Sequence, residues 1–236
     1  MRIWDIDAGF LNSPSLLGEH RELHAIDSII VNEKRGYARH PETLRWKGYR
    51  GGLALRHAML VAEMRLRGFK HHSPLEIRGT GSRWPPSFLD EPGEQYGILR
   101  EKYRHRDGGR IPLADGIQTL WARHKYSVMA RDYNRYRTIG PLVARRGITF
   151  AELARELTAI LRTAPPARSL ENALLHLWGH VSKYTEARPC ADAPATLLRA
   201  IQELSFRHTV SYLIQSTALG ELAALIDRQG SVTDPR

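Results

Sequence analysis

From residue 112 onward the chain reads as one amphipathic helical segment after another, and no period-2 strand of useful length occurs anywhere in its 236 residues. Apolar side chains recurring at three- and four-residue spacing mark a helix, whereas strict alternation marks a strand. The spacing predicts helices over residues 112–130, 132–145, 149–162, 168–184, 193–206 and 208–227. Thr149 and Glu152 read as a capping box. Ser169 is expected to cap the helix carrying Leu170, Leu174, Leu175 and Trp178. In the front half, Pro14 suits the first turn of a helix over 14–30. A second helix, 53–67, is stopped by Gly68, and a short one covers about 94–105. Residues 73–97 are rich in Pro and Gly and read as a long ordered loop, and the Gly-rich RDGGRIP at 106–112 is the best boundary. The expected fold is all-α, with two packed helical domains, residues 1–110 and 111–236.

The charge narrows the partner. A net +10, split about equally between the two halves, suits a polyanion: nucleic acid first, an acidic membrane surface second. Solubility alone is the plainer reading. No run of 18 apolar residues spans a membrane, and MRIWDIDAGF lacks the apolar core of a signal peptide. The single Cys190 cannot form an internal disulfide and lies in a Pro/Ala loop, as expected of a passive thiol in a reducing compartment. A cytoplasmic protein is expected.

The first helix has an unusual middle: Glu19, His20, Arg21, Glu22 and His24 crowd together. Glu19 and Glu22, three apart, share a face. Spacing alone leaves this as a solvated polar face with local ion pairs. The following segment interleaves Lys34, Arg35, Arg45 and other cations with Tyr37, Trp46 and Tyr49. It suits phosphates with stacking side chains, and equally a surface loop anchored by its aromatics. In the rear half Arg123, Lys125 and Arg137 stand in a basic stretch with Tyr126, Tyr133 and Tyr136, which suits phosphates and exposed bases; an ordinary charged outer face is the alternative. His176 and His180 have chelating i, i+4 spacing but lack a metalloprotease glutamate, so packing or hydrogen bonding is expected. His71–His72 has no third ligand at suitable spacing. No metal and no cofactor is expected.

The blocks MRIWDI, LLGEHRELHAI, KRGYARHPETLRW and LALRHAMLVAEMRLRGFKHHSPL, in that order over about residues 1–75, resemble the bacterial relatives of phage endonuclease V, the pyrimidine-dimer DNA glycosylases. The resemblance implies a small all-α enzyme that flips a damaged nucleotide from duplex DNA. Its α-amine attacks the sugar C1′, releases the base and leaves an imine that can eliminate to cut the strand. Met1 then carries the amine and Glu22 of the HREL motif is the assisting carboxylate. Arg2 and Arg21 match arginines that hold DNA, and His20 and Arg56, inside matched blocks, are expected beside them. The chemistry is sound: a free α-amine ionises near 7.7–8.0, far below lysine at about 10.4, and an amine nucleophile divides one hard step into two. Flipping costs a few kcal/mol, least where stacking is already damaged. Bulky Arg2 is expected to block removal of the initiator, so the amine is that of Met1 itself, deformylated. The chain also departs from the family in having Ala25 where a further arginine is expected and in lacking an aromatic, basic C-terminal tail.

Residues 117–184, through LWARHKYSVMARDYNRYRTIGPLVA and ENALLHLWGHVSKY, resemble the YbgA-like domain of unknown function. That domain accompanies an RNA-modifying desulfidase in some bacterial proteins, which implies nucleic-acid binding. Damaged duplex DNA is the favoured partner, with tRNA possible and a non-catalytic binder as the remaining alternative.

Overall fold

The computed structural model describes residues 1–75, 83–186 and 193–232, the last six as backbone only. Cys190 lies outside the described residues. Among those described, every regular element is helical, as the periodicity requires.

An extended N-terminal stretch ends in a single 3-10 turn, Ala8–Phe10, capped by Asp7. Helix α1, Ser13–Val31, starts where the Asn12 side chain accepts the Ser15 amide, with Pro14 in its first turn. Helix α2, Pro41–Trp46, is absent from the sequence reading; six residues are too few to show a period. Helix α3, Arg50–Leu66, ends at Gly68, whose φ of +78° suits a residue without a Cβ. Then come α4, Pro92–Lys102, with a Glu91/Glu94 capping box, and α5, Ile117–Met129. Helices α6, Tyr133–Ala144, and α7, Phe150–Leu161, follow, and Thr149 and Glu152 form the expected capping box on α7.

Two rear elements differ from expectation. Helix α8, Ala167–Gly179, begins after Pro166, so Ser169 sits inside its first turn and does not cap it; beyond Gly179 the chain tightens into a 3-10 turn, Ser182–Tyr184. After α9, Pro194–Arg207, the helix expected over 208–227 is broken into α10, Ser211–Ile214, and α11, Ala218–Val232. The break has a tertiary cause. The Thr217 amide donates to the Arg123 carbonyl at 2.9 Å, and the Thr217 and Ser127 hydroxyls bond at 2.7 Å. These α5 partners replace the local hydrogen bonds that would have continued one helix.

Two apolar cores hold the molecule, and neither respects a division at residue 110. The first gathers Ile3, Trp4 and Phe10 of the N-terminal stretch, Leu16, Leu23 and Ile26 of α1, and Leu53 and Leu60 of α3; to these it adds Leu120, Ile139, Leu153 and Leu157 from the rear half. The second packs Leu55, Met59 and Ala62 of α3 against Leu174 of α8, Leu197, Leu198 and Ile201 of α9, and Leu222 of α11. Helix α3 therefore lies between both cores and is buried on most of its circumference. Polar braces follow the same paths: Arg110 clasps Glu63 of α3 at 2.6 Å and also bonds the Ile214 carbonyl, while Arg162 reaches Asp5 at 2.5 Å.

Candidate active site at the N-terminal stretch

Four consecutive backbone amides near the N-terminus each donate to a different side chain. Arg2 N–H meets Glu22 Oε2 at 2.5 Å, Ile3 N–H meets Glu42 Oε1 at 3.1 Å, Trp4 N–H meets Glu19 Oε1 at 3.2 Å and Asp5 N–H meets Gln95 Oε1 at 2.8 Å. Helix α1 supplies Glu19 and Glu22 from one face, α2 supplies Glu42 and α4 supplies Gln95. An extended strand without a sheet partner has amides to satisfy, and acceptor side chains do the work of a neighbouring strand. The first residues are thereby fixed against three helices.

Buried carboxylates require compensating cations. Arg56 grips both oxygens of Glu19 at 2.7 and 2.8 Å and donates to the Ile6 carbonyl. Arg45 bonds Asp5, Glu42 and the Ile3 carbonyl at 2.7–3.1 Å. Arg45 and Arg56, expected from the sequence to meet phosphates, are instead 8% and 2% exposed and spend their donors on internal partners. Their positions among aromatics and in a motif block gave no sign of this, because the carboxylates they serve are supplied largely by other elements.

Glu22 is only partly buried and faces a cleft lined also by Arg2, Trp4, Ser15, Gly18, Glu19, Ile98 and Lys102. Met1 packs at the edge of the first core. Its amine is one residue from the amide that Glu22 holds. The Arg2 guanidinium pairs with Asp90 at 2.8 Å and lies over the Trp4 ring. Lys102 is a cation at the cleft that the sequence reading did not single out; its place on α4 becomes visible only once the fold brings α4 to the rim of the cleft that α1 lines. Deeper in, burial and then the Glu63 charge push the Asp7 carboxyl up to about 7, against the pull of Arg110 and the Gly9 amide.

Other expected nucleic-acid ligands divide by exposure. Arg21, Lys34, Arg35 and Arg137 are exposed. Arg123 and Lys125 are half-buried, and the Lys125 ammonium lies over the Tyr126 and Tyr212 rings at 5.0 and 5.1 Å. In the 34–50 segment Tyr37 is 70% exposed, whereas Trp46 is wholly in the core, where it anchors the segment and donates to Glu42. Tyr126 is buried and bonds His180 at 2.7 Å, so His180 has the hydrogen-bonding role its spacing left open. Tyr133 remains half-exposed and stacked on Tyr136.

His20 is not at the surface either. It turns away from Glu22 toward His24, His57 and His71, a cluster of rings in which burial keeps His20, at about 4, and His57, at about 3, neutral near pH 7.

Two known families match parts of the chain. Residues 1–77 match the family described as pyrimidine dimer DNA glycosylase, and residues 125–203 match a family of proteins of unknown function, DUF1722. The front segment is thus similar to the pyrimidine dimer DNA glycosylases and the rear segment to the DUF1722, or YbgA-like, proteins, the arrangement implied by the sequence motifs. The first match supports a DNA-repair glycosylase directed at damaged DNA. No curated protein and no solved structure matches the chain. Among the described residues no helix is long and apolar enough to cross a membrane.

Proposed function

We propose that the protein is a DNA glycosylase with associated lyase activity on a damaged pyrimidine nucleotide, and that the Met1 α-amine is its nucleophile. The observation that carries the proposal is the Glu22 carboxylate, held at 2.5 Å on the Arg2 amide at the mouth of a cleft. A flipped nucleotide in that cleft presents C1′ to the amine. The amine lone pair forms the new C1′–N bond as the glycosidic bond breaks, and the base leaves with its electron pair and takes up a proton. Ionised Glu22 stabilises the positive charge developing at C1′, takes a proton from the newly bound amine and returns it to the ring oxygen as the sugar opens to the imine. Removal of a C2′ proton then expels the 3′ phosphate and cuts the strand. Arg2 and Lys102 supply positive charge for the flanking phosphates, and Trp4 supplies an apolar wall.

Borohydride trapping on lesion-containing duplex DNA tests this. The expected result is a covalent adduct whose peptide mapping places the sugar on the Met1 amine. No adduct with any lesion at any pH overturns it. Gel shifts with tRNA against duplex DNA decide the polymer, and binding without trapping would make the protein a non-catalytic binder.

A further inference from the structure

Helix α1 turns two histidines, one turn apart, away from the proposed active site. His20 and His24 meet His57 of α3 and His71 of the segment that follows α3, and one ligand nitrogen from each lies within 4.8 Å of all the others. His20 Nε2 stands 3.1 Å from His57 Nε2 and 3.1 Å from His71 Nε2. One imidazole nitrogen carries either a single proton or a single lone pair in the ring plane. It cannot satisfy two such neighbours by hydrogen bonding. His24 Nε2 is buried with no hydrogen-bond partner. The ring centroids lie 4.7–5.2 Å apart, and most pairs are steeply inclined. Rings that converge on one point without stacking are arranged as ligands are.

We propose that His20, His24, His57 and His71 form a binding site for a divalent transition-metal ion of the zinc class. With Zn–N bonds of about 2.0–2.1 Å, a tetrahedral site places its nitrogens roughly 3.3 Å apart, close to the two contacts above. Imidazole nitrogens select zinc and its first-row neighbours over magnesium or calcium. Four protein ligands leave no open position, so the ion is structural. It ties the chain after α3 back onto α1, the helix that carries Glu22.

The test uses the full chain, freed of metal by chelation and titrated with Co²⁺, whose visible absorption reports a tetrahedral site. The expected result is one Co²⁺ per chain, displaced by Zn²⁺, with zinc raising the melting temperature. His71→Ala, in a partly exposed segment, should weaken Co²⁺ binding at least tenfold, whereas His72→Ala next to it should change nothing. Absence of a stoichiometric ion overturns the site, as does an undiminished affinity in His71→Ala or an equal loss in His72→Ala. Should His71→Ala fold poorly, wild-type chain whose melting temperature ignores both zinc and chelator is decisive against it. None of these readouts depends on adduct formation, so the metal site and the glycosylase reading stand or fall separately.

Discussion

Arg56 reaches from α3 to hold both carboxylate oxygens of Glu19 on α1, at 2.7 and 2.8 Å, in an ion pair sealed from solvent. The Trp4 amide uses the same carboxylate, so one pair joins two helices to the N-terminal stretch. Removing one partner leaves the other charge buried and alone. Glu19→Gln is expected to cost about 3–5 kcal/mol in chemical denaturation. A loss below about 1 kcal/mol would show that the pair is not a brace.

Glu22 differs from Glu19 in facing the cleft, where its carboxylate holds the Arg2 amide. Glu22→Gln keeps an acceptor for that amide but loses the charge and the exchangeable proton. The rate of borohydride-trapped adduct should fall by about 10²–10⁴-fold, with denaturation midpoints nearly unchanged. Trapping at the parent rate would remove Glu22 from the mechanism.

Two arginines ten residues apart should behave in opposite ways. Arg35 is exposed and Arg45 is buried. Arg35→Ala should leave stability intact and reduce the salt dependence of DNA binding by about one unit of log–log slope. Arg45→Ala should instead destabilise the fold, by about 3–5 kcal/mol, because Glu42 loses its compensating charge and Asp5 keeps only Arg162. Binding titrations at several salt concentrations, with melting curves, distinguish the two.

The contrast marks how far the sequence can be read. Long helices are legible because their apolar faces repeat, and the Thr149–Glu152 cap because its partners are three residues apart. The pairing of Glu22 with the N-terminus follows from a family motif, not from spacing. Arg45 and Arg56 cannot be separated from surface cations by pattern, since Asp5 and Glu19 come from other elements. His71 has no visible third ligand for the same reason: the nearest candidates, His57, His24 and His20, lie 14 to 51 residues earlier in the chain and are brought together only by the packing of α1 against α3. The split between α10 and α11 likewise depends on hydroxyl partners in α5.

Asp7 should give stability a pH dependence of definite sign. Its carboxyl is raised from 3.8 to about 7 in the fold, so the folded state keeps a proton that the unfolded chain releases. The stabilisation is fully present below pH 3.8 and is lost as pH rises toward about 7, a change on the order of 4 kcal/mol. Asp7→Asn retains an acceptor for the Gly9 amide and carries no charge. Relative to the parent it should gain stability steadily from about pH 4 to about pH 7 in urea denaturation. A constant difference between the two across that range would contradict the assignment.

Gly109 passes the N-terminal turn at very close range. A Cβ there would meet the Gly9 carbonyl oxygen at 2.4 Å and the Phe10 carbonyl carbon at 2.5 Å, both main-chain atoms unable to rotate aside. Gly109→Ala should cost about 1–3 kcal/mol. Its neighbour Gly108, with open space around it, should accept alanine with little effect. Paired thermal melts provide the check.

The two family matches are separable as lines of descent, but α3 makes them inseparable as a material. With one side of that helix in each core, loss of either core strips the other of a wall. A cut in the 106–112 loop would sever the chain without finding a seam. The molecule is therefore expected to melt in a single cooperative step, and a front fragment ending at residue 110 would expose the faces that Leu120, Leu153 and Leu222 now cover.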